Sequence, residues 1–372
     1  MTGRSVIFGS AGRPLNVACA AVESPRGGEV LVRTAYCTLC RSDLHTHAGR
    51  RTEPTPSVLG HEVVGRIEAF GPDAPRCDGA GAPAAVGDRV TGAVAVGCGA
   101  CYICQTADLP QKCARPYKYG HRRAGDDRPS GGGLADFVTL VPGTFWLRVP
   151  DELPDAVAAP ANCATATAAA LLRYAGPVAG QTVLVLGAGV LGVTVCAMAR
   201  AAGAAAVAVS DPVADCRTRA LRFGATHAFS ADAAEVTAGV RGLTDGRGAD
   251  VVVELAGAAG AVRTGLALAR AGGTVLLAGT VAPVGAIDLD PEDVVRRMLT
   301  IRGVHNYHPR DLSAALAFLA GPGRGYPWAS LVAAEYPLEE AERAFAAAHR
   351  QPGERIAVVP GRATSEGQHA PG

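Results

Sequence analysis

The sequence predicts an α/β protein with a β-rich domain and a doubly wound parallel-sheet domain. Short apolar runs alternate with Gly/Pro turns in residues 1–35, as in the strands of a mostly antiparallel β domain. Buried-strand and helix patterns then alternate from residue 181 to about 300, as a parallel sheet covered by helices requires. The pattern changes again after residue 300 and ends in a final strand, RIAVVP.

The totals exclude several classes of function. A chain of 372 residues is long enough for two or three domains. Its net charge of +1 gives no electrostatic footprint for nucleic acid or for an anionic membrane. The start MTGRSVIFGS carries no secretion signal, and no apolar run is long enough to span a membrane. We therefore expect a cytoplasmic protein whose 11 cysteines are ligands or small core residues rather than disulfides.

The stretch Tyr36–Glu62 has the highest density of ligand-type residues in the chain. It contains a thiol at Cys40, an imidazole at His61 and a carboxylate at Glu62. Zinc prefers thiolate and imidazole, and a catalytic zinc keeps one ligand position open. Cys40 and His61 are too far apart for one helix, so tertiary structure must join them. Two other interpretations stay open: core packing of the thiol and histidine, and a redox pair with Cys37.

A second group of thiols follows in CGACYICQTADLPQKC. Three of them stand at three-residue spacing and a fourth comes shortly after, at Cys98, Cys101, Cys104 and Cys113. This spacing predicts a closed, structural Cys₄ zinc site, because burial alone would not impose it on four unrelated thiols.

Residues 115–133 are polar and carry Lys118, His121, Arg122 and Arg123. Such a charge cluster most often forms a solvated loop, which is our first interpretation. The alternative is a wall of the substrate pocket that holds an anion.

A predicted strand (TVLVL) runs into a glycine motif at the start of a helix, with Gly187, Gly189 and Gly192. These glycines allow a tight turn, close approach of a pyrophosphate and close packing of helix on strand. The next strand ends in Asp211, whose carboxylate favours NAD because it accepts hydrogen bonds from the ribose and repels a 2′-phosphate. Arg217 leaves NADP open as the less favoured cofactor.

Together, the motifs CRSDLH, GHE and GAGVLG and the four-thiol group resemble the zinc-dependent medium-chain alcohol dehydrogenases over about residues 5–360. The resemblance implies a GroES-like catalytic domain formed by residues 1–160 and 309–372, with a structural zinc lobe at 95–115. A Rossmann NAD-binding domain, residues 161–308, interrupts it. The implied enzyme is an NAD(P)-dependent alcohol dehydrogenase with two zinc ions per chain and NAD.

The resemblance also assigns the catalytic metal. It implies a zinc held by Cys40, His61 and Cys163. Glu62 would stand beside the ion as an alternate ligand or as a carboxylate that supports the ligands, and Asp43 would orient His61.

The remaining implied roles concern protons and the cofactor. Ser42 and His45 match the family's proton relay, and zinc would act as a Lewis acid on the alcohol oxygen. The implied cofactor contacts are Arg41, Thr167, Gly187, Gly189, Val190, Leu191, Gly192, Asp211 and Arg355.

The sequence departs from the family in two places. Cys113 lies nine positions after Cys104 where the usual gap is eight, which a single loop insertion absorbs. Ala159-Pro160 lacks the glutamate common in the polyol and threonine branches, which argues against those two branches. The phrases LPQKC, KYGH and ANCATAT resemble dehydrogenases associated with phosphonate metabolism. We therefore expect a small or anionic, hydroxyphosphonate-like alcohol or the matching carbonyl compound as substrate.

Two other functions remain open, a zinc-independent reductase of the same fold and a non-catalytic NAD- and zinc-binding regulator. The intact Cys40, His61 and Cys163 set argues against the first. The resemblance implies a homodimer or homotetramer paired through the sheet edge of the nucleotide domain.

Overall fold

A computed structural model describes residues 1–125, 131–351 and 353–362. The chain folds into two compact units. The first comprises Met1–Cys163, His308–Leu316 and Trp328–Gly372, and the second comprises Ala164–Tyr307 and Ala317–Pro327. The predicted boundaries at 160/161 and 308/309 stay a prediction, and the predicted disordered tail falls mostly outside the described residues.

The first unit is rich in strands, which we number in chain order through both units. Its largest sheet has the order β10-β6-β5-β3-β18-β17, with β9 also pairing β3. Within this sheet only the β17–β18 pair is parallel. The strands are β1 (Thr2–Phe8), β2 (Asn16–Ala21), β3 (Val30–Thr38), β4 (Ser57–Val58), β5 (Glu62–Phe70), β6 (Arg89–Gly92), β7 (Ala95–Val96), β8 (Tyr117–Lys118), β9 (Phe137–Leu140), β10 (Trp146–Arg148), β17 (Val332–Pro337) and β18 (Arg355–Val359).

Short helices complete the first unit. Its α-helices are α1 (Arg41–His47), α2 (Tyr102–Gln105), α3 (Asp155–Ala158) and α11 (Ala341–Arg350), and α10 (Pro309–Ala320) contributes residues to both units. Its 3₁₀ turns are Pro110–Lys112, Ala159–Asn162, Trp328–Leu331 and Leu338–Glu340.

A buried apolar cluster holds α11 against the strands of the first unit. Phe345 on α11, Phe8 on β1 and Val358 on β18 belong to this cluster, together with Leu39 immediately before α1. The cluster therefore supports the segment that carries Cys40.

The second unit contains one sheet with the order β13-β12-β11-β14-β15-β16, and every neighbouring pair is parallel. The strand order reverses between β11 and β14, as in a dinucleotide-binding doubly wound fold. Its strands are β11 (Thr182–Leu186), β12 (Ala206–Ser210), β13 (His227–Phe229), β14 (Ala249–Glu254), β15 (Ala269–Leu277) and β16 (Thr300–Gly303). Its helices are α4 (Ala164–Ala175), α5 (Val190–Ala201), α6 (Ala214–Arg222), α7 (Ala233–Leu243), α8 (Ala259–Leu268) and α9 (Pro291–Arg297).

The sequence of β11 explains its place in the middle of this sheet. All five residues of TVLVL are buried, because a parallel strand covered on both faces needs a continuous apolar run rather than an alternating one. The predicted combination of a β-rich domain and a doubly wound parallel-sheet domain is confirmed. Within the described ranges, the helices are too short or too polar to cross a lipid bilayer.

Candidate active site and metal centres

Asp43 organises the start of α1. Its buried carboxylate accepts a hydrogen bond from the Cys40 amide at 2.9 Å and one from the Gly60 amide at 3.1 Å. It also lies 3.4 Å from His61 Nδ1. Burial opposes ionisation of Asp43, but the charge of His61 lowers its pKa overall. One carboxylate therefore fixes the backbone at Cys40 and Gly60 and stands beside the His61 ring. The role that the resemblance implied for it, orienting His61, stays a prediction.

The structure brings Cys40, His61 and Cys163 together. The two sulfur atoms lie 3.8 Å apart, and His61 Nε2 lies 3.4 Å from Cys163 Sγ. Zinc bonds of about 2.3 Å to sulfur and about 2.05 Å to nitrogen, at a tetrahedral angle, would separate two sulfurs by ~3.8 Å and a sulfur and a nitrogen by ~3.6 Å. With an oxygen of Glu62, all ligand atoms lie within 4.8 Å of one another. The donor set and its spacing therefore fit a zinc ion.

The pKa shifts of Cys40, His61 and Cys163 indicate which protons a bound cation would replace. A hydrogen bond from Cys163 lowers the pKa of Cys40, aided by the charges of Arg355 and His61, and the same hydrogen bond raises the pKa of Cys163. Although burial opposes it, Asp43 raises the pKa of His61 to about 10. A bound zinc would displace the protons that Cys163 and His61 retain. Full burial raises the pKa of the neighbouring Cys37 thiol, which suits a core residue better than a reactive redox partner.

Glu62 lies in a buried ion pair next to this cluster. Arg355 donates two hydrogen bonds of 2.8 Å to its two oxygens, and Thr38 Oγ1 donates a third at 2.6 Å. Burial raises the pKa of Glu62, while Arg355 opposes that shift. Arg355 Nη2 also lies 3.7 Å from Cys40 Sγ. The guanidinium thus lies beside Glu62 and Cys40 in this structure, and its predicted contact with the cofactor stays a prediction.

Asn162 is a positioning residue that the sequence analysis missed. Its Nδ2 donates to the carbonyl oxygens of His61 and Gly92, both at 2.8 Å. It precedes Cys163 at the end of a 3₁₀ turn and so links the two ligand segments. Its position beside Cys163 was the signal that could have identified it.

The four thiols of the zinc lobe also converge. Cys101 Sγ lies 3.5 Å from Cys104 Sγ and 3.9 Å from Cys113 Sγ, near the ~3.8 Å expected for two sulfurs on one zinc. The amides of Cys98 and Arg115 each point to Cys113 Sγ at 3.3 Å. A hydrogen bond from the Cys104 amide lowers the pKa of Cys101 to about 6. All four ligand atoms lie within 4.8 Å of one another, which fits a closed structural site.

The predicted relay residues occupy the first two turns of α1. Ser42 and His45 stand three positions apart, so they share one side of the helix. Both side chains are half-buried. Burial lowers the pKa of His45, and the charge of Arg41 lowers it further.

The glycine motif has the geometry of a phosphate-binding turn. Gly187 has φ +108°, and a Cβ there would lie 2.8 Å from the Ala256 amide nitrogen. A Cβ on Gly192 would lie 1.9 Å from the Gly187 carbonyl oxygen, whereas Gly189 has open space where its Cβ would be. The backbone amides at the start of α5, at Val190, are therefore accessible to a phosphate group. Of the other predicted contacts, Val190 is buried, Thr167 and Leu191 are half-buried and Arg41 is exposed.

The Asp211 carboxylate accepts hydrogen bonds from the backbone of this turn. Its Oδ2 accepts a hydrogen bond from the Ala188 amide at 2.8 Å, and its Oδ1 accepts one from the Val213 amide at 2.9 Å. Arg217 Nη1 donates to the Asp211 carbonyl oxygen at 2.8 Å. The carboxylate thus shapes the loop as well as carrying the charge that the sequence analysis assigned to it.

The polar segment after the zinc lobe is only partly solvated. His121 is buried, its ring centroid lies 5.1 Å from that of His61, and its Nδ1 lies 3.3 Å from Glu53 Oε1. Arg51 completes the group with a 2.5 Å contact to Glu53. Our first interpretation, a solvated loop, is therefore wrong for His121. It holds for exposed Arg123, and positions 126–130 lie outside the described residues.

Lys118 is a half-buried cation of this segment, and no carboxylate in the described ranges forms an ion pair with it. Burial lowers its pKa to about 8, and the nearby charge of Arg51 contributes. The charge of Glu53 and, less strongly, that of Cys163 act on its pKa in the opposite direction. A positive charge therefore stands close to the Cys40–His61–Cys163 cluster.

Comparison with known proteins agrees with this architecture. Residues 26–151 match the family described as alcohol dehydrogenase GroES-like domain, and residues 190–321 match the zinc-binding dehydrogenase family. The chain is 32% identical over 328 residues to 5-exo-hydroxycamphor dehydrogenase of Pseudomonas putida, covering 86% of this chain and 89% of that protein.

Two solved structures are similar over nearly the whole chain. An alcohol dehydrogenase of Thermotoga maritima has a TM-score of 0.90 at 25% identity, covering 96% of this chain and 99% of that one. A zinc-binding dehydrogenase of Sinorhizobium meliloti, bound to NADP, has a TM-score of 0.84 at 26% identity, covering 97% and 100%. The similarity therefore includes both compact units.

Proposed function

The chain belongs to the zinc-dependent medium-chain alcohol dehydrogenases, and we propose that it oxidises an alcohol to an aldehyde or ketone, reversibly, with NAD. The predicted family and the enzyme class, an NAD(P)-dependent alcohol dehydrogenase, are thereby confirmed, and zinc and NAD(P) are the cofactors typical of this family. The proposal adds the residues, the preference for NAD and the substrate class.

The observation that carries the proposal is the tetrahedral spacing of Cys40, His61 and Cys163. Both oxygens of Glu62 already accept hydrogen bonds, which favours three ligands and one free position for the alcohol oxygen. Zinc at this position supplies a Lewis acid that eases loss of the alcohol proton. Bound NAD would supply the hydride acceptor.

The proton leaves through α1. Ser42 would accept the alcohol proton while giving up its own hydroxyl proton, which His45 would pass towards solvent. A lowered pKa keeps His45 neutral near pH 7, so its ring can accept a proton. Asn162 and Asp43 keep the His61 segment in place during this step.

The test is a spectrophotometric screen of neutral alcohols and hydroxyphosphonates with NAD, together with zinc analysis of the same sample. We expect turnover and two zinc ions per chain. One zinc per chain with carbonyl reduction would favour the zinc-independent reductase. Two zincs with no turnover of any substrate would favour the regulator.

The substrate class is inferred from Lys118. Glu53 acts on this half-buried ammonium only from beyond ion-pair distance, so an approaching anion would stabilise it. Arg51 is also near, but its 2.5 Å contact with Glu53 offsets its charge. Lys118 therefore carries the inference of an anionic alcohol, such as a hydroxyphosphonate or hydroxycarboxylate.

The charge on Lys118 predicts a pH dependence. With a pKa of about 8, the side chain is cationic at pH 7 and becomes neutral as the pH rises through 8. The ratio of kcat/KM for an anionic alcohol to that for a neutral alcohol should therefore fall above pH 8. Lys118→Met should lower this ratio at pH 7 by about 10- to 100-fold, as expected for a charge-assisted hydrogen bond. Arg123→Met, an exposed control, should leave it unchanged, and an unaltered ratio in Lys118→Met would contradict the substrate class.

The preference for NAD is inferred from Asp211. We expect Asp211→Asn combined with Pro212→Arg to raise the ratio of kcat/KM with NADP to that with NAD by roughly 10- to 100-fold, because it removes a like-charge repulsion. Asn can still accept one of the two loop hydrogen bonds. The control Asp215→Asn removes an exposed charge nearby and should not move the ratio. Equal ratios in both variants would count against the role of Asp211.

We also infer a cytoplasmic homodimer or homotetramer. All eleven cysteines are free, which suits a reducing compartment. The edge strand β16 and its surroundings expose apolar side chains that a second copy could cover. These are Val281, Leu289, Val295 and Met298.

A further inference from the structure

Two histidines from different helices meet on the surface of the first unit, outside both zinc clusters. His47 is the last residue of α1, and His349 lies in the last turn of α11. His47 Nδ1 and His349 Nε2 are 3.3 Å apart, and the ring centroids are 5.5 Å apart. The proposed chemistry at Cys40 and His61 uses neither ring.

The distance between these nitrogens matches two ligands on one ion. Zinc–nitrogen bonds of about 2.05 Å at a tetrahedral angle place the two nitrogens ~3.3 Å apart. A right angle between the same bonds, as in square-planar or octahedral coordination, would bring them to ~2.9 Å. The observed 3.3 Å, at which the two rings also hydrogen-bond directly, agrees with the tetrahedral value for an ion of the zinc class.

Neighbouring groups hold the His47 ring ready for this role. Its face stacks on Phe345 with centroids 4.5 Å apart. Its other nitrogen, Nε2, lies 3.9 Å from Glu342 Oε1, and Glu342 Oε2 accepts a hydrogen bond from the Leu15 amide at 2.9 Å. A carboxylate beside one ring nitrogen favours the proton there and leaves a lone pair on the other, here Nδ1.

The site is open to solvent on one side. The His47 side chain is 18% exposed, while His349 is exposed. An ion can therefore enter from water, and water molecules can fill its remaining positions. Burial lowers the pKa of His47, with Glu342 opposing and His349 adding to the shift, so the ring is neutral at neutral pH.

We propose that His47 and His349 bind a third divalent ion of the zinc class, which ties the end of α1 to α11. Because Ser42 and His45 lie on α1, occupancy of this site would restrain the helix that carries them. The site itself stands independently of the proposed enzymatic function.

The experiment is equilibrium dialysis of the tag-free holoenzyme, already holding its two zincs, against increasing free Zn²⁺ near neutral pH. We expect a third equivalent in the natural protein and its loss in His349→Ala. Glu342→Gln should weaken the third equivalent by about 10-fold. The matched control His227→Ala removes an exposed histidine of the second unit and should retain it.

Hydrogen exchange gives a second readout that does not depend on activity. Added Zn²⁺ should slow exchange of the α1 amides in the natural protein and in His227→Ala, but not in His349→Ala. The proposal is overturned if the natural protein stops at two zincs, or if His349→Ala binds the third equivalent as tightly as the natural protein does.

Discussion

Cys40→Ser and His61→Ala are each expected to reduce turnover by at least about 10³-fold while leaving cofactor binding intact. Lewis-acid assistance contributes several kcal/mol to such a reaction, and each variant removes one of three ligands from the proposed catalytic zinc. The glycine turn and Asp211 lie in the other compact unit, so these substitutions do not alter them.

The measurements are steady-state rates, zinc content and NADH binding by fluorescence on the same preparations. Zinc should fall from two ions per chain to one, with the four-thiol lobe still occupied. Cys77→Ser is the matched control because Cys77 is an exposed cysteine outside both clusters. A Cys40→Ser enzyme with near-normal rate would refute the proposed catalytic metal.

Arg355→Met is expected to lower the free energy of unfolding by about 3–5 kcal/mol, because it leaves the carboxylate of Glu62 buried without its counter-ion. Glu62 is completely buried and Arg355 is 9% exposed at the side chain. The double variant Arg355→Met with Glu62→Gln should recover much of the loss, since no buried charge then remains. Arg296→Met is the control, because its ion pair with Glu292 is 73% and 71% exposed and should contribute little.

The loss of stability in Arg355→Met should also depend on pH. Burial already raises the pKa of Glu62, and removing Arg355 takes away the group that opposes that shift. A carboxyl group with a raised pKa in the folded state stabilises the fold at low pH, and this contribution is lost as the pH rises through that pKa. The difference in melting temperature between Arg355→Met and the natural protein should therefore shrink on acidification. A constant difference across this range would contradict the assignment.

Local patterns predicted the local structures well. The run TVLVL, the glycines after it and Asp211 lie close in sequence, so strand, turn and helix could be inferred from spacing alone. The four thiols of the zinc lobe are equally local, and the structure brings their sulfur atoms together.

Long-range contacts could not be inferred from spacing. The resemblance, and not the pattern, linked Cys163 to Cys40 across 123 positions. Arg355 reaches Glu62 across 293 positions because β18 pairs with β3, and nothing in RIAVVP indicates that partner. His121 looked exposed because its neighbours are charged. A Cβ on Gly120 would lie 2.9 Å from the Gly60 carbonyl oxygen, and this close approach of the two backbones holds the segment containing His121 against His61.

The pairing of β18 with β3 has a consequence for biosynthesis. The strand that carries Arg355 follows β3 and β17 in the chain, yet it inserts between them. A chain synthesised only as far as the doubly wound unit therefore lacks the counter-ion of Glu62. Premature stop codons even a few positions upstream of Arg355 should therefore produce inactive, chaperone-dependent products.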